Sequence, residues 1–129
     1  MEIFKDSISW VEIPVTDFAR AKNFYQTIFD YEMEEMDMGP VKMGMLHYNR
    51  REEQGVGGAI CYGEGYTPAG SNGPKVYLNG GSDLNAVLGR VEKAGGRIIL
   101  PKTEIAPEMG NMAFFVDSEG NVVGLYSKD

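Results

Sequence analysis

The chain has 129 residues, of which 43% are hydrophobic and 24% charged, and its net charge is −7. This length is typical of one domain around one core, and an acidic surface is unsuited to nucleic acid or to anionic membranes. The single cysteine excludes an intrachain disulfide, and no apolar run approaches the roughly 18 residues of a membrane span, so we expect a cytoplasmic protein with no membrane partner.

The first half of the chain predicts a strand, a helix and three more strands. Residues 7–15 alternate apolar and polar side chains, and Thr16-Asp17 is typical of a helix N-cap. A helix is predicted from there to residues 29–30, because apolar residues recur three and four positions apart. Strands are predicted at residues 31–38, 41–48 and 57–62, with a polar turn at residues 49–54.

The second half repeats this order after a loop rich in Gly, Pro and Ser at residues 63–74. A strand is predicted at residues 75–79, followed by a helix that begins at Ser82-Asp83 and ends at Gly95-Gly96. Further strands are predicted at residues 97–100, 112–116 and 122–127.

The two halves match at an offset of 66 residues, which pairs Trp10 with Val76 and Phe18 with Leu84. This indicates one domain, residues 1–129, made of two modules at about 1–64 and 74–129. We predict an α+β fold in which two β-α-β-β-β modules form curved mixed sheets around a central cavity. A ferredoxin-like fold is the alternative, and the three strands counted between the helices argue against it.

Three segments resemble the vicinal oxygen chelate superfamily, which includes glyoxalases, bleomycin-resistance proteins and extradiol dioxygenases. They are ISWVEIPVTDFARAKNFYQTIF in the first strand and helix, LNAVLGRVEKAGGRII in the second helix, and MAFFVDSEGNVVGLYS in the closing hairpin. Ser118 stands where that hairpin usually has proline. The resemblance implies the fold but not the reaction, because the superfamily includes lyases, isomerases, dioxygenases and non-catalytic drug binders.

The resemblance also implies four positions for the ligands of a divalent metal. They fall at Trp10 and Val76 in the first strands, at Gly124 in the last strand, and near Gly58 or Ala59. None of these side chains binds a metal. A shift of register would bring in Glu12, which with the only histidine, His47, is still a small ligand set. We therefore expect no metal and no other cofactor.

The remaining candidates favour a pocket for an organic molecule. Glu12 is a candidate general base or polar contact, and Trp10 a flat wall, although each is also compatible with a structural role. His47 has no evident acidic or nucleophilic partner in the sequence, and Cys61 lies in an apolar strand typical of an unreactive thiol. Five methionines in the first module suit either an adaptable pocket or core packing. The predicted ligand-binding residues are Trp10, Glu12, His47, Val76, Phe115, Gly124 and Tyr126.

We therefore predict a metal-free binding protein for a small apolar or aromatic molecule, acting as a homodimer. The alternatives are a glyoxalase-like lyase or isomerase, or a dioxygenase-type enzyme, with an altered metal site or with Glu12 as a metal-free base. A third alternative is an interaction module whose cavity is filled by its own side chains.

Overall fold

The computed structural model describes residues 1–49 and 55–129, so most of the turn predicted at residues 49–54 lies outside the described residues. Two four-stranded sheets and two helices confirm the predicted α+β fold. The elements in chain order are β1 (Trp10–Pro14), α1 (Phe18–Phe29), β2 (Glu35–Met38), β3 (Val41–Met45), β4 (Gly57–Tyr62), β5 (Tyr77–Asn79), α2 (Leu84–Val91), β6 (Arg97–Glu104), β7 (Asn111–Val116) and β8 (Val122–Ser127).

Both sheets have the same topology, with strand orders β1-β4-β3-β2 and β5-β8-β7-β6. In each, the first strand of the module pairs in parallel with its last strand, and the other pairs are antiparallel. This repeat is the predicted pair of β-α-β-β-β modules, and the ferredoxin-like alternative is wrong.

The helices begin where the sequence predicts. The carboxylates of Asp17 and Asp83 accept hydrogen bonds from the backbone amides of Arg20 and Asn85, which satisfies a free donor in each first turn. α2 ends at Val91, before the predicted end at Gly95-Gly96, and the chain continues as turns until Gly95, whose φ is +107°. The apolar faces of both helices are buried in one core with the inner faces of the sheets.

The turn between β7 and β8 ties the second module to the first. The buried Asp117 accepts a hydrogen bond from the Tyr25 hydroxyl of α1 at 2.7 Å, and Asn121 donates to the Pro14 carbonyl of β1 at 2.8 Å. Burial raises the pKa of Asp117, against the hydrogen bonds from Asn121 and Tyr25 that lower it. This turn lies in the segment MAFFVDSEGNVVGLYS, which resembles the superfamily. Its polar side chains hold the two modules together.

Among the described residues, no helix is both long enough and apolar enough to cross a membrane. The cytoplasmic location stays a prediction.

Candidate functional site

The open face of the first sheet is set by the alternation of β1. Ile13 and Val15 are buried against the helices, so Trp10 and Glu12 lie on the opposite face. Trp10 is 40% exposed, and its indole ring contacts the ring of Tyr48 edge-on at 6.0 Å between centroids. Trp10 and Glu12 therefore point away from the core into the open face, as their predicted roles as a flat wall and a polar contact require.

The register of the second module differs by one residue from the sequence prediction. The Val15 amide donates to the Cys61 carbonyl, and the Gly80 amide makes the corresponding bond to the Tyr126 carbonyl, so the strands match at an offset of 65 rather than 66. One additional residue between β5 and α2 explains the difference, because both helix caps keep the longer offset. Since a shift of one residue changes the face of a strand, the predicted equivalence of Trp10 and Val76 is wrong.

In the observed register, Glu12 pairs with Ala59 in the first sheet and Tyr77 pairs with Gly124 in the second. The Tyr77 ring lies directly over Gly124, where a built Cβ would come within 2.8 Å of a ring carbon. Any larger side chain at Gly124 would displace this ring. Because Gly124 has no side chain, the Tyr77 ring can lie against the backbone of the sheet at this position.

A cleft of about 610 Å³ lies where the two modules meet. Its described walls come from β1 and the residues before it, from the start of β4, from the chain after β3, and from β5 with its preceding loop. Its aromatic side chains are Trp10, Tyr48 and Tyr77, and its charged side chains are Glu12 and Lys75.

The cleft brings together four of the seven predicted ligand-binding residues: Trp10, Glu12, His47 and Val76. Gly124 lies beneath the Tyr77 wall, and Tyr126 donates its hydroxyl proton to the Met109 carbonyl at 3.1 Å, outside the cleft lining. The prediction for Phe115 is wrong, because this residue is fully buried against Phe24 in the helical core.

Tyr48 is an aromatic residue of the cleft that the predicted ligand-binding set lacks. β3 ends at Met45, so the alternation that places Met43 and Met45 on one face no longer predicts where residues 46–48 point. The only sequence signal is an aromatic residue close to the end of a strand, and the contact with Trp10 depends on how the chain returns to β4.

Two neutral side chains hold the Glu12 carboxylate in place. The Trp10 indole N–H donates to Oε2 at 3.2 Å and the Tyr66 hydroxyl donates to Oε1 at 2.6 Å. The bond to Glu12, followed by burial, raises the pKa of Tyr66 to about 12. Burial, with the Glu12 charge as the next cause, likewise raises the pKa of Cys61 to about 12, so this thiol is protonated and unsuited to nucleophilic attack.

His47 lies between the modules. Its ring stacks on Phe29 with 3.5 Å between centroids, and its Nε2 is 2.8 Å from the Asn79 carbonyl oxygen. Because a carbonyl only accepts, Nε2 carries the proton; Nδ1 is then a buried acceptor that has no partner among residues 1–49 and 55–129. Burial lowers the pKa of His47, against the bond to Asn79. The His47 ring therefore contacts both modules, Phe29 of the first and Asn79 of the second.

These side chains do not fit a divalent metal. Within the described part of the chain, no three His, Cys, Asp or Glu side chains come together. The open-face positions at the centre of the sheets are occupied by Glu12, Ala59, Tyr77 and Gly124, so they provide one carboxylate. A catalytic zinc site commonly has three protein ligands.

Comparison with known proteins finds similarity to the family that the sequence motifs resemble. A family model described as bleomycin resistance protein-like N-terminal matches residues 8–48. A glyoxylase-like domain-containing protein of Didymella fabae is 29% identical over 123 residues, which cover 92% of this chain and 91% of that protein. The CFP32 protein of Mycobacterium bovis is 28% identical over 121 residues, but this chain spans only 44% of its length.

Solved structures show the same fold. Glyoxalase I from Zea mays superposes with a TM-score of 0.67 at 21% identity, covering 92% of this chain and 45% of the maize chain. TnmS3, an antibiotic binding protein from Streptomyces sp. CB03234, superposes with a TM-score of 0.63 at 21% identity, covering 97% of this chain and 98% of its own.

Proposed function

We propose that this chain is a member of the vicinal oxygen chelate superfamily of glyoxalases and bleomycin-resistance proteins, and that it binds a small apolar or aromatic organic molecule, without a metal, in the cleft between its modules. The observation that carries this proposal is the cleft wall, in which Trp10 and Tyr48 of the first module face the same space as Tyr77 of the second.

The dimensions and composition of the cleft support this proposal. Its volume of about 610 Å³ lies within the roughly 300–1,000 Å³ typical of small-molecule sites. Aromatic rings bind planar ligands through apolar contact and stacking, and the Glu12 carboxylate provides a polar contact. TnmS3, which has this fold and almost this length, is an antibiotic binding protein.

The absence of a metal from the working protein is part of the proposal. It is supported by the open-face positions at the centre of the sheets, Glu12, Ala59, Tyr77 and Gly124, which provide a single carboxylate. A glyoxalase-like lyase or isomerase, or a dioxygenase-type enzyme, would need a metal held by other ligands. Stoichiometric metal in the purified protein would favour that alternative.

The proposed function is tested by substitution of the aromatic wall. We expect Trp10→Ala to weaken binding of naphthalen-1-ylmethanol about tenfold or more, because it removes the apolar area of the indole together with an aromatic contact worth about 0.5–1.5 kcal/mol beyond that area. Calorimetric titration measures this without relying on the chain's only tryptophan for fluorescence.

Tyr62→Ala is the matched control, since Tyr62 is 46% exposed, close to the 40% of Trp10, and does not line the cleft. Its affinity should stay within about twofold of the wild type. Equal affinities for Trp10→Ala and the wild type would refute a site at this wall.

We also propose that the protein acts as a homodimer. The support is the exposed apolar area on both sheets, including Met36, Met38, Ile99 and Tyr77, since such area often marks an interface. Light scattering on the purified chain should give twice the chain mass of 14.2 kDa, whereas the mass of one chain would contradict this.

A further inference from the structure

Within the part of the chain that the structure describes, no positively charged side chain neutralises the charge of Glu12. Its two donors, the Trp10 indole and the Tyr66 hydroxyl, are both neutral groups. No lysine or arginine among residues 1–49 and 55–129 forms an ion pair with it. Hydrogen bonds from neutral donors orient a carboxylate without removing its charge, so a full negative charge is held in a fixed position at the cleft wall.

Aromatic rings line the same cleft as Glu12. Trp10 is both a hydrogen-bond donor to Glu12 and a wall of the cleft, while Tyr48 and Tyr77 complete the aromatic lining. The faces of such rings attract cations through their quadrupoles, most strongly for tryptophan. A positive group beside Glu12 would therefore meet a carboxylate and aromatic rings together.

Lys75 is the positively charged side chain in the described lining of the cleft. Its ammonium donates to the Ser71 carbonyl at 3.1 Å, within its own loop, and it makes no ion pair with Glu12. The chain as a whole has a net charge of −7, which adds a general attraction for cations. A test must therefore separate the effect of Glu12 from that of net charge.

We propose that Glu12 makes the cleft selective for organic cations, specifically an aromatic or apolar ring system that carries a protonated amine. This inference rests on the proposed function, because it names the class of ligand that the same cleft prefers. The amine donates to Glu12 while the ring system packs against Trp10, Tyr48 and Tyr77.

Three probes of the same size and ring, with different charge, test the inference: 1-naphthylmethylammonium, naphthalen-1-ylmethanol and 1-naphthoate. We expect the wild-type chain to bind the ammonium about tenfold more tightly than the alcohol, as is typical of a hydrogen bond to a charged group, and 1-naphthoate most weakly. Calorimetry at about 0.15 M salt keeps long-range attraction screened.

Glu12→Gln should bring the ammonium and the alcohol within about twofold of each other, because the amide keeps the shape of the side chain and loses its charge. Glu104→Gln is the matched control: this exposed residue of β6 lies outside the cleft lining, and its substitution changes the net charge by the same amount. It should keep the tenfold preference. An unchanged thermal midpoint for both variants shows that they fold.

The outcomes are distinguishable. Binding of the alcohol without a preference for the ammonium overturns the inference and leaves the proposed function intact. An equal loss of preference in Glu12→Gln and Glu104→Gln also overturns it, because net charge would then be the cause. If none of the three probes binds the wild-type chain, the proposed function fails together with the inference.

Discussion

At the scale of single residues, Glu119 in the turn between β7 and β8 accepts several hydrogen bonds from the first module. It accepts hydrogen bonds from the backbone amides of Thr16 and Asp17 at 3.0 and 2.8 Å and forms an ion pair with Arg20 at 2.7 Å. Partial burial alone would raise the pKa of Glu119, but the bonds from Arg20, Asp17, Ser118 and Thr16 outweigh it and lower the pKa to about 2. This carboxylate joins the second module to the start of α1.

Glu119 should make stability depend on acid. Because its pKa is near 2 in the folded chain and 4.5 in the unfolded one, its contribution is complete above about pH 4.5 and is lost as the pH falls through 2. We expect Glu119→Gln to lower the free energy of unfolding by on the order of 1–3 kcal/mol at neutral pH and by less at about pH 3.

Urea denaturation at both pH values measures this, with Glu92→Gln, an exposed residue after α2, as control. The pKa of Asp117 is raised in the folded chain, so Asp117 makes the folded chain more stable as the pH falls, opposite to Glu119. Only the difference between Glu119→Gln and the wild type isolates the contribution of Glu119. A difference between Glu119→Gln and the wild type that did not shrink in acid would contradict the assignment.

Some residues of the cleft could be placed from the sequence and others could not. Trp10 and Glu12 could be placed on one face because they lie two positions apart in β1, and side chains two apart in a strand point the same way. Phe115 was misplaced because β7 reads NMAFFV, in which both faces are apolar and the pattern does not distinguish them. The hydrogen bond from Tyr66 to Glu12 spans 54 positions and depends on the loop after β4, so no local pattern indicates it.

At the scale of elements, the helices were more predictable than the register of the strands. Cap residues and apolar periodicity lie within the helix itself, so the starts of α1 and α2 could be read locally. The position of β5 depends on one additional residue in the Gly80–Gly81 connection, and the offset measured on the helices does not apply to it. β6 extends to Glu104, beyond the predicted residue 100, because its pairing with β7 continues past two irregularities.

Two glycines near the end of α2 have opposite roles and give a matched pair of substitutions. A Cβ at Gly96 would lie 2.5 Å from the Val116 carbonyl oxygen and 2.6 Å from the Phe24 ring, whereas at Gly89 nothing lies within 4 Å. We expect Gly96→Ala to lower the free energy of unfolding by about 1–3 kcal/mol through overpacking. Gly89→Ala should raise it by about 0.5–1 kcal/mol, because alanine is favoured inside a helix.

Thermal or urea denaturation of the two variants measures the contrast. A Gly96→Ala protein as stable as the wild type would show that Phe24 packs loosely enough against the second module to accept an added methyl group.

At the scale of the whole molecule, the cleft exists because the modules are held together by polar contacts around an apolar core. Asp117, Asn121 and Glu119 join the closing turn to α1 and β1, while His47 joins the chain after β3 to β5. The fold and its pseudo-repeat were predictable from the sequence, since they follow from patterns that recur in both halves. The shape of the cleft was not, because it depends on the register of β5 and on contacts between modules.

Metal-free binding in the cleft is tested most directly by calorimetric titration of the wild-type chain with naphthalen-1-ylmethanol, with and without excess EDTA. We expect saturable binding, one site per chain, with a Kd that EDTA leaves unchanged. Binding that EDTA abolishes and that added Ni²⁺, Zn²⁺ or Mn²⁺ restores would contradict a metal-free cleft.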